Sequence, residues 1–292
     1  MTPSERVEKP NAAVFAAAIQ GARNEQQDAF RVKWLEQDGG WLLVLADGMG
    51  GHACGALASR IAADAFLSGF LHERSVGSSL TDCFDNSLRA ANEAIATALT
   101  EHRGAAEGMG TTLVAAYLSP RSVSWISVGD SPIWLYRAGQ IVRLNEDHSL
   151  RQLGVGAHQS NMLQSAVVGS QIPMIDRHAE PLNLQKDDVV LLSSDGILTL
   201  DESQIAATIR SAKTGEPELL AWLLLHAVED KAKSHQDNCT LIVCKPSLMG
   251  GAAEFVAAKE RVTYSRVRLI VFCSLAISVL AAGLAWLYLS RF

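Results

Sequence analysis

The sequence has little of several features that would assign it to a broad class of protein. Charged residues make up only 19% of the 292 residues and no block of lysine and arginine occurs, so nucleic acid is not an expected partner. The five cysteines are odd in number and lack the Cys-x-x-Cys spacing of metal sites, which favours reduced thiols over a disulfide framework. The first ten residues contain no apolar run, so we expect no signal peptide.

Long apolar stretches are also missing, with one exception near the C-terminus. Residues 269–289 contain no charged side chain, and about 21 residues in a helix would span about 31 Å, the thickness of a bilayer core. A buried core helix is the alternative, but arginines flank this stretch on both sides. Three arginines precede it and one follows, so the positive-inside rule places the body of the chain in the cytoplasm.

Charge is divided unevenly along the chain. The formal net charge is −6 at pH 7, whereas the segment from residue 246 onward carries five basic residues against two acidic ones. The part before residue 246 is therefore more acidic than the whole. We expect a soluble body over 13–245, preceded by a lead-in over 1–12 and followed by a basic juxtamembrane linker over 246–268 and a transmembrane helix over 269–289.

Apolar periodicity within the body predicts two pairs of helices, separated by strands that are mostly linked as hairpins. The third helix opens on a capping-box pattern, in which Asp201 precedes Gln204 by three residues. Residues 13–20 fit a strand or a short helix, and the polar segment 147–169 fits a mobile flap. The pattern is α+β, with two sheets covered by helices rather than alternating βαβ units. The helices are expected over 55–71, 80–102, 201–211 and 216–230, and the strands over 29–35, 41–46, 111–118, 123–128, 133–136, 140–144, 176–184, 189–193 and 240–245.

The stretch 42–52, LLVLADGMGGH, is the strongest candidate for a functional site. Four apolar residues and an alanine lead into Asp47, and glycines follow at 48, 50 and 51, where they allow the backbone to approach a ligand closely. A carboxylate in this position suits a hard cation, and the carbonyl of Gly48 can add a second oxygen ligand. The alternative is a strand-to-helix turn in which Asp47 caps the next helix.

Four further aspartates, Asp28, Asp130, Asp195 and Asp237, are candidates for the same site. Including Asp47, four of the five lie at or just beyond a predicted strand end, beside a glycine or an asparagine. One such aspartate is usually a turn former. Several at equivalent places in a two-sheet core are better explained by a shared oxygen-rich site for Mg²⁺ or Mn²⁺.

Seven stretches between 13 and 245 carry a stronger signal together than any of them alone. They are GARNEQQDAF (21–30), LADGMGGHACGALAS (45–59), GMGTTLVAAYL (108–118), VGDSPIWLYR (128–137), DHS (147–149), SSDGILTL (193–200) and QDNCTLIV (236–243). In order, spacing and local sequence they resemble the metal-dependent protein serine/threonine phosphatases of the type 2C (PPM) family, in their bacterial form. The resemblance implies a four-layer α-β-β-α sandwich of two antiparallel sheets flanked by helix pairs, here followed by the predicted transmembrane helix.

The resemblance also implies roles for the candidate ligands. Asp47 would bridge two Mn²⁺ or Mg²⁺ ions, and the carbonyl of Gly48 would bind one of them. Asp195 and Asp237 would complete the other ion. Asp130 would hold a third, weaker ion together with Asp195.

Two further residues would act on the substrate and on water. Arg23 would clamp the substrate phosphate, since a guanidinium offers two parallel donors, and Asp28 would orient water near the metals. The implied reaction is hydrolysis of phosphoserine and phosphothreonine by a metal-activated water, without a covalent intermediate. The implied partners are phosphoprotein substrates and a serine/threonine kinase whose action is reversed at the bacterial inner membrane.

The sequence departs from the family at several positions, none of which removes a predicted metal ligand. Gln26 stands in place of the usual asparagine, and Pro132 stands where an arginine often follows Gly-Asp-Ser. Met49 stands where eukaryotic members have a histidine proposed as general acid. The leaving alkoxide would then take its proton from water, with His52 or His148 as the alternatives.

Two other functions remain open at this point. The stretch from Cys54 to Arg60 has the Cys-x5-Arg spacing of phosphatases that form a phosphocysteine. It lacks a preceding histidine, and Leu57 occupies the place of a glycine that would let the loop curl. A catalytically silent, membrane-tethered module that binds phosphoproteins is the second alternative, and it predicts the loss of metal ligands.

Overall fold

In the computed structural model of this chain the described residues are 13–50, 53–101, 108–153, 162–212, 215–249 and 255–257. They belong to a compact unit that extends to Ala258. The predicted lead-in over 1–12, the transmembrane helix over 269–289 and most of the linker before that helix lie outside the described residues.

Four α-helices of the described part form the two predicted pairs. Helices α1, Ala53–Ser75, and α2, Leu80–Glu101, pack against each other, and so do α3, Glu202–Ser211, and α4, Pro217–Glu229. The predicted capping box at the start of α3 is confirmed. The Asp201 side chain accepts a hydrogen bond from the backbone of the glutamine three residues on, whose own side chain bonds back to the cap.

Helix α1 is longer than the sequence pattern predicts. An 18-residue window within Cys54–Ser75 has a mean hydropathy of 1.3, which is high enough for a membrane-crossing helix by length and composition alone. In this structure Ala62, Phe66 and Phe70 of α1 are fully buried in the core beneath the second sheet. Helix α1 is therefore a core helix, although its length and composition would also suit a membrane span.

The strands of the described part form two sheets. The first sheet has the order β12-β1-β11-β10-β7-β8, and the second has the order β2-β3-β5-β6-β9 with β4 paired to β3. All neighbours are antiparallel except β1 and β12, which run parallel. The strands are β1 Val14–Ile19, β2 Asp28–Leu35, β3 Gly40–Met49, β4 Gly110–Thr111, β5 Leu113–Ser119, β6 Ser122–Val128, β7 Ile133–Arg137, β8 Gln140–Arg143, β9 Asp176–Asn183, β10 Val189–Ser193, β11 Cys239–Cys244 and β12 Phe255–Ala257.

Three apolar cores separate four layers. One core lies between the α1–α2 pair and the second sheet, one between the two sheets, and one between the first sheet and the α3–α4 pair. In the first of these cores the rings of Phe70 and Phe84 lie 5.6 Å apart. Loss of a buried aromatic ring of this kind costs about 3–5 kcal/mol. The α+β sandwich implied by the resemblance is therefore present.

Two elements differ from the sequence prediction in ways that affect the site. Strand β3 continues past the predicted end at residue 46, because β4 pairs with it at Gly48 and Met49. Asp47 therefore lies within a paired strand rather than beyond its end. The helix that follows begins only at Ala53, so Asp47 does not cap it.

The segment predicted as a flap is attached to the body at both ends. A short 3₁₀ turn, Leu150–Leu153, follows a bridge between Ser149 and Leu163, and Val167 pairs with Thr111 beside β3. Residues 154–161 lie outside the described part. The segment thus begins beside Gly129, to which His148 bonds, and ends beside β4, which pairs with the strand that carries Asp47.

Candidate metal centre

Two of the predicted carboxylates oppose each other on neighbouring strands. Asp28, the first residue of β2, lies opposite Asp47 of β3 in the register of the second sheet. Like charges in directly opposed positions destabilise a sheet, so this pairing is unfavourable for the fold taken alone. Two acids at such a place indicate a site that binds positive charge.

Asp28 also connects the two sheets. Its Oδ2 atom accepts hydrogen bonds from Ser194 Oγ at 2.8 Å and from Thr240 Oγ1 at 2.6 Å, both beside or within strands of the first sheet. Burial nevertheless raises the pKa of Asp28 to about 6. The Oδ1 atom is buried, and no hydrogen-bond donor among the described residues reaches it. Such an oxygen is suited to an ion or to a water held by an ion.

Asp47 lies at the centre of the acidic cluster. Burial raises its pKa well above the ordinary value, and the charges of Asp28, Asp195, Asp130 and Asp237 raise it further. The other four predicted carboxylates therefore all act on Asp47. A buried cluster of this kind can be fully ionised only where cations neutralise it.

The backbone around Asp47 is held by hydrogen bonds that the sequence analysis did not identify. Thr112 Oγ1 accepts from the Asp47 N–H at 3.0 Å, while Thr112 N–H and Thr111 Oγ1 donate to the Asp47 carbonyl at 2.9 and 2.8 Å. At the next residue, a Cβ added to Gly48 would lie 2.1 Å from the carbonyl oxygen of Gly55. Only glycine fits there, which allows the backbone after Asp47 to pass close to the first turn of α1.

Asp195 and Asp130 come from opposite sheets and meet at the cluster. Asp195 opens the 3₁₀ turn Asp195–Thr199 after β10, and Asp130 lies in the turn after β6. Burial raises the pKa of Asp195 to about 7, and the charge of Asp130 is the largest electrostatic contribution to that shift. The structure thus brings together the two residues for which the resemblance implies a shared ion.

Asp237 is engaged by the predicted phosphate-binding residue. Arg23 Nη2 donates to Asp237 Oδ2 at 2.5 Å, and the Arg23 side chain is 53% exposed. The other carboxylate oxygen of Asp237 accepts from the backbone N–H of Asn238 at 2.8 Å. Exposed ion pairs contribute little to stability, about 0–1 kcal/mol, so a stronger ligand for either partner can replace this contact.

Asn238 positions the loop that carries Arg23, a role the sequence analysis missed. Its Oδ1 atom accepts from Gln27 N–H at 2.9 Å, and its Nδ2 atom donates to the carbonyls of Gln20 at 2.8 Å and Glu25 at 3.0 Å. The Asn238 side chain is buried. The only signal in the sequence was the asparagine next to Asp237, which does not reveal partners more than 200 residues away.

The donor set fits a hard divalent cation, although it is not arranged as a complete ligand shell. Among the described residues no three His, Cys, Asp and Glu side chains are grouped closely enough to hold an ion as they stand. All candidate donors are oxygens, burial raises the pKa values of Asp28, Asp47, Asp130 and Asp195, and Asp28 Oδ1 lacks a donor among the described residues. Mg²⁺ and Mn²⁺ prefer such ligands.

Two alternative catalytic groups are placed where they perform other roles. The Cys54-to-Arg60 stretch lies within α1, and Arg60 Nε donates to the carbonyl of Ala56 on the same helix. A helix does not supply the loop of free amides that a cysteine phosphatase needs.

Burial lowers the pKa of His148, and its Nδ1 accepts from the backbone N–H of Gly129 at 3.2 Å. That bond favours a structural role; His52 lies outside the described residues.

Comparison with known proteins assigns the chain to a family. The family described as protein phosphatase 2C matches residues 19–223, which is more than half of the chain. The chain is a member of the protein phosphatase 2C family. The sandwich of two sheets between helix pairs is the fold that this family's solved structures share with it.

Two bacterial proteins illustrate the similarity in sequence. The serine/threonine protein phosphatase PstP of Mycobacterium tuberculosis is 33% identical over 174 residues, which cover 54% of this chain but only 32% of PstP. The chain thus spans about a third of the length of that relative. The serine/threonine phosphatase Stp of Listeria innocua is 26% identical over 224 residues, 71% of this chain and 85% of Stp.

Among solved structures, the catalytic domain of PstP in complex with two manganese ions matches with a TM-score of 0.63 and 26% identity. The match covers 80% of this chain and 96% of that domain. The described body of this protein phosphatase 2C member therefore corresponds to a catalytic domain rather than to the whole of PstP.

Proposed function

We propose that this chain is a metal-dependent protein serine/threonine phosphatase, which hydrolyses phosphoserine and phosphothreonine in proteins without a covalent intermediate. The observation that carries the proposal is the cluster of five carboxylates centred on Asp47, in a member of the protein phosphatase 2C family. Relatives named serine/threonine phosphatases, one of them solved with two manganese ions, support it.

The acidic residues divide the work of holding ions. Asp47 and the carbonyl of Gly48 would bind a pair of Mn²⁺ or Mg²⁺ ions, with Asp195 and Asp237 completing the set, and Asp130 would hold a third ion with Asp195. When bound, such ions neutralise the charge of a phosphomonoester and lower the pKa of a water for attack on phosphorus. The threonine hydrogen bonds to the Asp47 backbone keep the central carboxylate in place while ligands exchange.

Arg23 and Asp28 act beside the ions. Arg23 presents a guanidinium at the surface of the site, where its paired donors match two oxygens of a phosphate. Its present partner is Asp237, so an ion bound by Asp237 would leave Arg23 available for the substrate. Asp28 offers its unpartnered Oδ1 as an acceptor that orients a water, while its Oδ2 remains fixed by two hydroxyl groups.

The test is hydrolysis of a phosphothreonine peptide by the full chain in detergent micelles, with Mn²⁺ and with chelator. We expect Asp47→Asn and Asp195→Asn to lose at least about 100-fold in kcat/KM, because even groups that only orient a metal ligand are worth 10- to 100-fold. Cys54→Ser should retain activity. Asp64→Asn should also retain activity, because Asp64 is an exposed carboxylate on α1 that pairs with Arg31.

Other outcomes point to the alternative functions. Activity that survives chelator but is lost in Cys54→Ser would refute the metal mechanism in favour of a cysteine nucleophile. A folded protein that binds phosphopeptide without any turnover would refute catalysis in favour of a binding module.

We further propose that the chain is a single-pass protein of the bacterial inner membrane, with its catalytic body in the cytoplasm, and that it reverses a serine/threonine kinase. The uncharged stretch 269–289 and the three arginines before it support this placement. Extraction of bacterial membranes with alkaline carbonate should leave the chain in the pellet. Protease added outside spheroplasts should spare the body, and degradation there would refute the orientation.

A further inference from the structure

The turn that carries Asp130 is held by a segment that follows it in the chain. His148 bonds to Gly129 twice, since the His148 N–H donates to the Gly129 carbonyl at 3.2 Å and the Gly129 N–H donates to His148 Nδ1 at 3.2 Å. His148 is almost fully buried. The residue before Asp130 is therefore fixed through both of its backbone polar groups.

Arg143 fixes the turn from the other side. Its Nη2 donates to the backbone carbonyl of Asp130 at 2.9 Å, its Nη1 to Asp147 Oδ2 at 2.9 Å and its Nε to Asn145 Oδ1 at 3.1 Å. Asn145 in turn donates to the carbonyl of Ser131 at 3.0 Å. These are hydrogen bonds of ordinary length, so Arg143 is committed to holding the backbone of the turn.

A second arginine, Arg151, lies near the Asp130 carboxylate but beyond hydrogen-bond distance of it. Arg151 Nη2 lies 3.8 Å from Asp130 Oδ2, and Arg151 Nη1 lies 3.6 Å from Asp147 Oδ2. Both distances exceed those of hydrogen bonds, so the attraction of Arg151 to these two acids is mainly that of charge. The Arg151 side chain is 34% exposed and that of Asp130 only 5%, which places a partly solvated cation beside a buried anion.

We propose that Arg151 is a built-in counter-cation of Asp130, which competes with the third metal ion for that carboxylate. The inference rests on the proposed function, in which Asp130 is a metal ligand. Mg²⁺ approaches a carboxylate oxygen to about 2.0–2.1 Å, and a guanidinium held 3.8 Å from the same oxygen repels such an ion. Loading of this site therefore works against the charge of Arg151.

The two arginines then have different roles at the same residue. The charge of Arg143 also acts on the Asp130 carboxylate, but its hydrogen bonds to the Asp130 carbonyl and to Asp147 commit it to keeping the ligand in place. Arg151 neutralises the carboxylate and lowers the affinity for an ion. Arg151 lies on the short 3₁₀ turn Leu150–Leu153, outside both sheets.

The test is Mn²⁺ binding by the full chain in detergent micelles, measured by calorimetry and by electron paramagnetic resonance of the free ion. For Arg151→Gln we expect the weakest site to tighten by about threefold to tenfold, a range between that of an exposed and a buried charge pair. The stronger sites should change by less than about twofold. Arg151→Lys, which keeps the charge, should remain close to the wild type.

Arg89→Gln is the matched control, because Arg89 is an exposed arginine on α2 that pairs with Glu93. It removes the same net charge far from the cluster and should leave every site unchanged. Equal tightening by Arg151→Gln and Arg89→Gln, or no tightening by Arg151→Gln, would overturn the inference. Failure of the wild type to bind any Mn²⁺ would instead refute the proposed metal centre, so the two failures are distinguishable.

Discussion

Replacement of Asn238 by alanine should loosen the loop that carries the phosphate-binding arginine. The change removes three hydrogen bonds of 2.8–3.0 Å, one from Gln27 N–H and two to the carbonyls of Gln20 and Glu25. Asn238 is 3% exposed, so water does not readily replace its amide. At about 1 kcal/mol for each bond, the free energy of unfolding should fall by about 3 kcal/mol. For a domain of this size the midpoint of thermal unfolding should fall by about 6–12 °C.

The measurement is thermal unfolding of the full chain in chelator, so that ion binding does not contribute. Amide hydrogen exchange adds a local readout, because the Gln27 N–H donates directly to the Asn238 side chain. This amide should exchange faster in Asn238→Ala, while Asn238→Asp, which keeps the acceptor but not the two donors, should protect it partly. A fall of less than about 0.5 kcal/mol together with unchanged exchange at Gln27 would refute the reasoning.

Three further predictions concern packing, a buried ion pair and ion removal. Gly196→Ala should prevent native folding, because its Cβ would lie 2.0 Å from the carbonyl oxygen of Asn238. Gly77→Ala, which has no neighbour within 4 Å, should cost only about 1 kcal/mol of folding free energy. Solubility and circular dichroism report the outcome for both variants. Arg137→Met should lower the free energy of unfolding by about 3 kcal/mol, because it leaves the buried Asp188 carboxylate without the guanidinium that bonds both of its oxygens. Denaturant titration measures this loss, and a loss well below that value would contradict the prediction. Removal of Mn²⁺ by chelator should lower the midpoint of thermal unfolding. Relative to protein with Mn²⁺ at 100 times its Kd, the loss of folding free energy should be about 2.7 kcal/mol. An unchanged midpoint would contradict ion binding at the site.

The layers of the fold and the positions of the acids could be predicted because they depend on local patterns. Apolar spacing predicts both helix pairs, and the Asp201 capping box is confirmed at the start of α3. Strand β3 is the informative exception. Its continuation through Gly48 and Met49 depends on pairing with β4, more than 60 residues later, and a window of local sequence contains no trace of that partner.

The supports of the site could not be predicted, because they are side-chain bonds to distant backbone. Asn238 reaches Gln27 and Arg143 reaches the carbonyl of Asp130, and in each case an ordinary polar residue acquires its role only from the fold. Strand β12, which adds three residues to the edge of the first sheet, lies in a segment expected to be linker. A strand this short has no periodicity to detect.

The opposition of Asp28 and Asp47 shows how the second sheet imposes an unfavourable arrangement on these acids. At the other end of the same two strands Trp34 lies opposite Trp41, with ring centroids 5.3 Å apart, beside a tight turn in which Gly39 adopts a φ of 62°. Aromatic pairs of this kind stabilise a strand pair, and the turn sets its register. A slip by one residue would move every side chain to the opposite face, so the register held at the aromatic end forces the two carboxylates together at the other end. The stability of the hairpin thus holds the two carboxylates close together. Without a cation, their mutual repulsion would favour their separation.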